Sequence, residues 1–188
     1  MNREYEVVIY TDVELSVDPN AMTEIGYVEE LASKQHVISI VYCQNIYQKN
    51  GQHTSIQKNG YYCEHEIQMD DLYYDLMKNN PTVFEALMMH ETGHLINGDI
   101  DRSDDYEAIM LKRRKMIEQY KVAEEELRAD LFSVKQCGGK AVVDMLDHVI
   151  RTRKRRGYDS DDLGIREAEM RKIAVKRYIR ENRLTEDN

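Results

Sequence analysis

The spacing of hydrophobic and polar positions changes near residue 70. Before it, β-branched and aromatic residues predict strands at 5–11 and 36–46, and a hairpin of 55–57 with 61–69. Asn59-Gly60 stands between the hairpin arms and suits a tight turn. Apolar residues three and four apart predict a helix over 21–34. The first third is therefore expected to contain a small sheet with a helix.

After residue 70 the pattern is helical. The predicted helices run from 70 or 71 to 78, then over 83–96, 105–136, 140–156 and 161–183. Asn80 or Thr82 is suited to begin the second of these, and Asn97-Gly98 to end it. Gly138-Gly139 separates the third helix from the fourth. We expect an α+β fold with a small N-terminal sheet followed by a predominantly helical half.

The charge is unevenly distributed along the chain. The 188 residues carry a formal net charge of -9, made up of -13 in residues 1–150, +6 in 151–183 and -2 in the last five. The length suits one domain, predicted over 1–156, with a basic helical extension over 157–188 packed on it or following it. An acidic balance argues against a protein that mainly coats nucleic acid or an anionic membrane.

Cysteines and apolar runs are sparse. The three cysteines stand far apart without a Cys-x-x-Cys pair, which argues against a disulfide scaffold or a four-cysteine zinc module. The longest apolar run, 37–43, is far shorter than the roughly 20 residues that cross a bilayer. The N-terminus shows no basic segment followed by an apolar one. We expect no membrane insertion and a reducing, cytoplasmic setting.

Residues 90–94 read His-Glu-Thr-Gly-His within the predicted helix 83–96. A separation of four places His90 and His94 on one helix face, with Cβ atoms about 5–6 Å apart, so both imidazoles can reach one ion. Imidazole suits Zn²⁺, which in catalytic sites takes three protein ligands and keeps a position for water. Glu91 can take a proton from that water. The helical context and the Asn-Gly stop argue against a chance match.

A third zinc ligand is required. In one extended version of the motif a third histidine follows, but Ile100 occupies that place here. Downstream, Glu126 and Asp130 are four residues apart and share a helix face. One carboxylate can bind zinc while the other accepts the free N–H of a ligating histidine, best His90.

An acidic loop offers another third ligand. Four aspartates follow the motif closely: Asp99, Asp101, Asp104 and Asp105. We favour their interpretation as a solvated loop that caps the helix near Tyr106, because capping is the commoner use of aspartate there.

The two motifs together resemble the gluzincin metallopeptidases. The segments HETGHLINGD and ELRADLFSVKQCGG are similar to those of the HtpX-like and CAAX prenyl protease family and, less closely, of the ImmA/IrrE family. The resemblance implies a zincin-like fold with His90, His94 and Glu126 as zinc ligands. It also implies Glu91 as the general base and Asp130 as the hydrogen-bond partner of a ligating histidine.

The resemblance covers about residues 60–150 and is specific only at the two motifs. The membrane helices of HtpX-type enzymes and a convincing helix-turn-helix region are both missing from the pattern, so we expect a minimal soluble catalytic domain. His65 lies on the predicted strand 61–69, which we interpret as an ordinary strand. The resemblance implies that it is the edge strand beside which an extended substrate lies.

Two residues are candidates for stabilising the oxyanion of the tetrahedral intermediate. His148 and Tyr158 can both donate a hydrogen bond, and spacing selects neither. A histidine at the end of an apolar helix face is more often a packing residue. For His148, a catalytic role is therefore the weaker of the two interpretations. The basic runs 112–115 and 151–156 are dense enough for phosphate contact, but salt-bridged helix faces are the better interpretation.

The sequence thus predicts a zinc-dependent metallopeptidase that hydrolyses peptide bonds of a protein or peptide substrate. A non-catalytic, metal-stabilised regulatory or binding protein of phage or mobile-element type is the alternative. Nucleic-acid binding through the basic C-terminal segment is a weaker third possibility. The sequence does not define the substrate or the oligomeric state.

Overall fold

The computed structural model describes residues 7–11, 23–30, 37–42, 56–58, 65–69, 71–97, 106–182 and 184. By its contacts the chain forms two compact units, residues 1–92 and 93–188. The division falls within a continuous helix. The described residues combine a five-stranded sheet with helices, which confirms the α+β class.

The sheet belongs to the first unit. Its strands are β1 Val7–Thr11, β2 Thr23–Glu30, β3 Val37–Tyr42, β4 Ile56–Lys58 and β5 His65–Met69. They lie in the order β1-β2-β3-β5-β4, antiparallel throughout except for the parallel pair of β3 and β5. The strands predicted within 5–11 and 36–46 are confirmed.

The helix predicted over 21–34 is wrong, because its centre is strand β2. Gly26, Tyr27 and Val28 are weak helix formers, and as a strand they pair with β1 on one side and β3 on the other. Val28 is fully buried, and Tyr27 stacks on Tyr10 with ring centroids 4.6 Å apart. A side chain at position 26 would collide with the Tyr10 carbonyl oxygen, so glycine allows the close approach of β1.

The predicted hairpin is confirmed in its pairing. Strands β4 and β5 are antiparallel, with Ile56 opposite Met69. Asn59-Gly60 lies outside the described residues. The expectation that His65 lies on an edge strand is wrong, because β5 has β3 on one side and β4 on the other.

Six helices follow in the described part of the chain. They are α1 Asp71–Asn79, α2 Pro81–Ile96, α3 Tyr106–Glu118, α4 Glu124–Cys137, α5 Gly139–Arg155 and α6 Leu163–Glu181. In the second unit α5 and α6 pack along each other, α4 packs on both, and α3 packs on α6. None of the described helices combines the length and apolarity that a membrane crossing requires.

The single helix predicted over 105–136 is wrong, because a turn divides it into α3 and α4. Tyr120 adopts a positive φ of 56° there, and Lys121 N–H donates to the carbonyl of Met116. Glycine usually takes this left-handed position, and neither glycine nor proline marks the break. The exposed Tyr120 ring instead lies under the Arg166 guanidinium, 5.4 Å from its centroid. Residue type therefore gave no signal for the turn.

Helix α6 begins at a capped and ion-paired aspartate. Asp162 accepts a hydrogen bond from the Ile165 N–H at 2.9 Å and two from the Arg153 guanidinium. Burial favours a higher pKa for Asp162, but the Arg153 hydrogen bond and the Ile165 N–H outweigh it, and the pKa lies below its ordinary value. This contact joins the end of α5 to the start of α6.

Candidate metal centre

Helix α2 carries the motif and is defined at both ends. Asn80 precedes it, and its Oδ1 accepts from the Val83 N–H at 3.4 Å. Pro81 takes the first helical position, where its missing N–H costs no helix bond. The helix ends at Ile96, and the Asn97 N–H donates to the Gly93 carbonyl. The predicted helix and its N-cap at Asn80 are confirmed.

The two motif histidines are buried. His90 and His94 are 4% and 2% exposed, one turn apart on α2. Met88 and Met89 precede them and are also buried. Thr92 lies between the histidines, and its hydroxyl donates a hydrogen bond to the Met88 carbonyl at 2.8 Å. The helix therefore places both imidazoles away from solvent, where an ion would meet little competing water.

Glu126 of α4 joins the histidines. Its carboxylate is buried, and its Oε1 lies 3.6 Å from Nε2 of His94. One potential ligand atom from each of His90, His94 and Glu126 lies within 4.8 Å of the others, and the described residues contain no other such group of three. The four aspartates of the acidic loop lie outside the described residues, so the alternative third ligand stays a prediction.

The chemistry of this donor group fits Zn²⁺. Two imidazole nitrogens and one carboxylate oxygen are a common catalytic zinc set. Two ligands at about 2.0–2.1 Å from a tetrahedral zinc lie about 3.3 Å apart. The 3.6 Å between His94 and Glu126 is close to that spacing and too long for a hydrogen bond. Small side-chain adjustments would bring both atoms to an ion.

Glu91 lies at the edge of this group. Adjacent residues on a helix usually point in different directions, yet Oε1 of Glu91 lies 4.0 Å from Nε2 of His90. Its side chain is 13% exposed, so it is more accessible to solvent than the two histidines. This position suits a general base that acts on a water held beside His90.

Asp130 is fully buried and bound by an arginine that the sequence reasoning missed. The Arg171 guanidinium of α6 donates from Nη2 to Oδ1 at 2.6 Å and from Nε to Oδ2 at 2.8 Å. Its Nη1 also lies 2.8 Å from Oε2 of Glu126. The role of Asp130 toward His90 stays a prediction, and the contact with Arg171 is the additional finding.

A second arginine reaches the same carboxylate from α3. Nη1 of Arg113 lies 3.0 Å from Oε1 of Glu126, and its Nε and Nη2 donate to the buried Glu167 of α6 at 2.8 and 2.7 Å. We call these five side chains the arginine–carboxylate network: Arg113, Glu126, Asp130, Glu167 and Arg171. Burial alone would lower the pKa values of both arginines, but the carboxylates outweigh it and raise them.

The two oxyanion candidates make their described contacts with residues of α5. His148, half-buried on α5, has its Nε2 3.2 Å from Oγ1 of Thr152. Tyr158 packs under the Arg153 guanidinium, 4.8 Å from its ring centroid. These contacts tie each residue to the α5 helix, and their catalytic roles stay predictions.

The environment of His148 predicts a pH dependence of stability. Burial and then the charges of Arg151 and Arg155 hold the pKa of His148 below its ordinary 6.5. The unfolded chain regains that value and takes up the proton first, so the fold loses stability as the pH falls below about 6.5. We expect His148→Gln to show a smaller loss between pH 7.5 and 5.5 in urea unfolding. An equal loss in both proteins would contradict the prediction.

Gly93 sets the distance between α2 and α4. A Cβ at this position would lie 3.1 Å from both Ala129 Cα and Phe132 Cβ. Gly93→Ala should therefore destabilise the fold by about 1–3 kcal/mol through overpacking, and weaken zinc binding by separating His94 from Glu126. Denaturant unfolding and zinc titration measure the two effects. The exposed Lys135→Ala on α4 is the control, and an unchanged Gly93→Ala protein would refute the tight contact.

The basic runs form ion pairs, one of them along a helix and others between helices. Arg114 pairs with Glu118 one turn later at 3.0 Å, and Arg153 pairs with Asp162. Arg113 is the exception to a solvated face because it turns toward Glu126 and Glu167. The interpretation as salt-bridged faces is confirmed for Arg114.

Comparison of the chain with protein family models, with curated proteins and with solved structures gives no match. The gluzincin resemblance therefore depends on the motif residues alone.

Proposed function

We propose that the chain is a zinc-dependent metallopeptidase with a zincin-like catalytic region. The observation that supports this proposal is the buried group of His90, His94 and Glu126, with Glu91 beside it. The sequence motif predicts the two histidines, and the fold brings a carboxylate from another helix to them. The proximity of this carboxylate to the two histidines supports a metal site more strongly than the motif alone does.

The three ligand residues would hold the zinc, with His90 and His94 neutral and Glu126 ionised. When bound, the ion would supply Lewis acidity to a water and to the carbonyl of the scissile peptide. The burial of all three side chains would keep competing water away and strengthen electrostatic interactions within the site.

Glu91 would move the proton. Its Oε1 would accept a proton as the water attacks the peptide carbonyl carbon, and would then donate it to the amide nitrogen as the C–N bond breaks. Atoms and charge balance, because Glu91 ends as the carboxylate with which it began.

A non-catalytic, metal-stabilised protein is the second candidate, and it is favoured by the structural contacts that the arginine–carboxylate network makes with Glu126. The network has two guanidinium groups for three carboxylates, so most of its charge is compensated without an ion. The buried acidic residues of the network can therefore be explained by a structural role, without catalytic turnover.

Zinc content and peptide cleavage, measured on one preparation, separate the two candidates. The peptidase proposal expects about one zinc per chain and cleavage of a casein or mixed-peptide substrate that stops with a chelator and returns with zinc. One zinc per chain with no cleavage of any substrate in a broad peptide library would favour the binding protein. No zinc binding would refute both.

A further inference from the structure

The carboxylate of the proposed ligand Glu126 is held from two sides. Arg113 of α3 contacts Oε1 at 3.0 Å, and Arg171 of α6 contacts Oε2 at 2.8 Å. The two guanidinium groups come from helices on either side of α4 in the chain. Glu126 therefore has one cation at each oxygen, and Oε1 is also the oxygen that faces His94.

Each arginine is itself fixed by a second carboxylate. Glu167 binds Arg113 through two hydrogen bonds, and Asp130 binds Arg171 through two more. Paired N–H donors in one plane impose direction as well as charge. These four hydrogen bonds hold the two guanidinium groups in place, and the two guanidinium groups leave the Glu126 carboxylate little freedom to rotate about its last bond.

We propose that Arg113 and Arg171 are positioning residues that fix the Glu126 carboxylate toward His94 and thereby set the zinc affinity of the chain. The inference depends on the metal site of the proposed function and not on its peptidase activity. A carboxylate offers about four lone-pair directions, so two arginine contacts leave others for an ion.

Orientation and charge predict opposite effects for the loss of an arginine. Both guanidinium groups carry a positive charge, because arginine is effectively always protonated in proteins. A cation beside the site repels Zn²⁺, so removing it would tighten binding if charge alone mattered. Removing an orienting partner of a metal ligand instead weakens binding, typically about 10–100-fold. We expect orientation to dominate, because Glu126 supplies one of three ligands.

The test is the zinc dissociation constant of the full-length chain, measured by chelator competition. We expect Arg113→Met to bind zinc about 10–100-fold more weakly. Arg113→Lys should not recover the affinity, because an ammonium cannot contact Glu126 and Glu167 in the planar, forked geometry of arginine. The exposed Arg114→Met on the same helix is the matched control and should bind as wild type does.

Two further measurements distinguish positioning from a loss of folding. Circular dichroism identifies the variants that are folded, and Co²⁺ substitution reports the ligand geometry through its visible absorption. Glu167→Gln keeps both arginines but loosens Arg113, and should weaken zinc binding less than Arg113→Met does. If Arg113→Met unfolds, Glu167→Gln and Arg113→Lys carry the test.

The outcomes separate this inference from the proposed function. Folded variants with unchanged or tighter zinc binding, or full recovery by lysine, would overturn the inference and leave the peptidase proposal standing. Weaker binding in a chain that cleaves no peptide would support the inference and refute the peptidase. A wild-type chain that binds no zinc would overturn both.

Discussion

Replacing Glu91 by glutamine is expected to abolish peptide hydrolysis while the affinity for zinc stays unchanged. The amide has the shape of the carboxylate but cannot take up a proton from water at neutral pH. General-base catalysis typically contributes about 10²–10⁴-fold to a rate, so the loss should be at least of this order. The three ligand side chains are untouched, and Glu91 is not among them.

The measurement is cleavage of a fluorogenic peptide by the zinc-loaded variant, beside a zinc titration. Glu85→Gln is the matched control, because Glu85 is an exposed glutamate on the same helix. It should cleave at the wild-type rate. A Glu91→Gln protein that cleaves as fast as wild type would assign the base to another group.

Replacing Arg171 by methionine should cost about 3–5 kcal/mol of unfolding free energy, which is the range for breaking a buried ion pair from one side. The reason is the state of the carboxylates left behind. Asp130 is fully buried and Glu126 is 6% exposed, and both lose the cation that α6 provides. Methionine keeps much of the side-chain volume, so the loss reports charge and hydrogen bonding more than a cavity.

Urea unfolding at neutral pH measures this cost. Arg177→Met is the control on the same helix, because its partner Glu181 lies four residues further along that helix and both side chains are exposed. Such pairs contribute at most about 1 kcal/mol. Equal losses in the two variants would show that the buried pair with Asp130 has no special importance.

The site could be predicted where its determinants are local. His90, Glu91 and His94 need only one helix, and the Asn80-Pro81 start and Asn97 stop define that helix from neighbouring residues. Glu126 required a second element, and the sequence supplied it through the resemblance of two motifs. The arginines could not be predicted, because Arg171 lies 41 residues beyond Asp130 and the charge pattern placed it in a separate basic extension.

The two mistaken elements have physical causes of the same kind. Strand β2 is stabilised by pairing with strands on both sides, which a single-segment pattern does not register. The turn at Tyr120 has no glycine, and its geometry depends on neighbouring helices and the contact with Arg166. In both places tertiary contacts outweigh local preference.

The position of Arg171 in the chain has a consequence for biosynthesis. Synthesis proceeds from the N-terminus, so Glu126 and Asp130 leave the ribosome before the arginine that neutralises them, and α4 before α6. A nascent chain that stops short of α6 has the histidine motif together with Glu126 and Asp130, but it lacks the guanidinium group that contacts both carboxylates. The buried acidic cluster can therefore be completed only after α6 has been made, later than the two helices that carry the proposed zinc ligands.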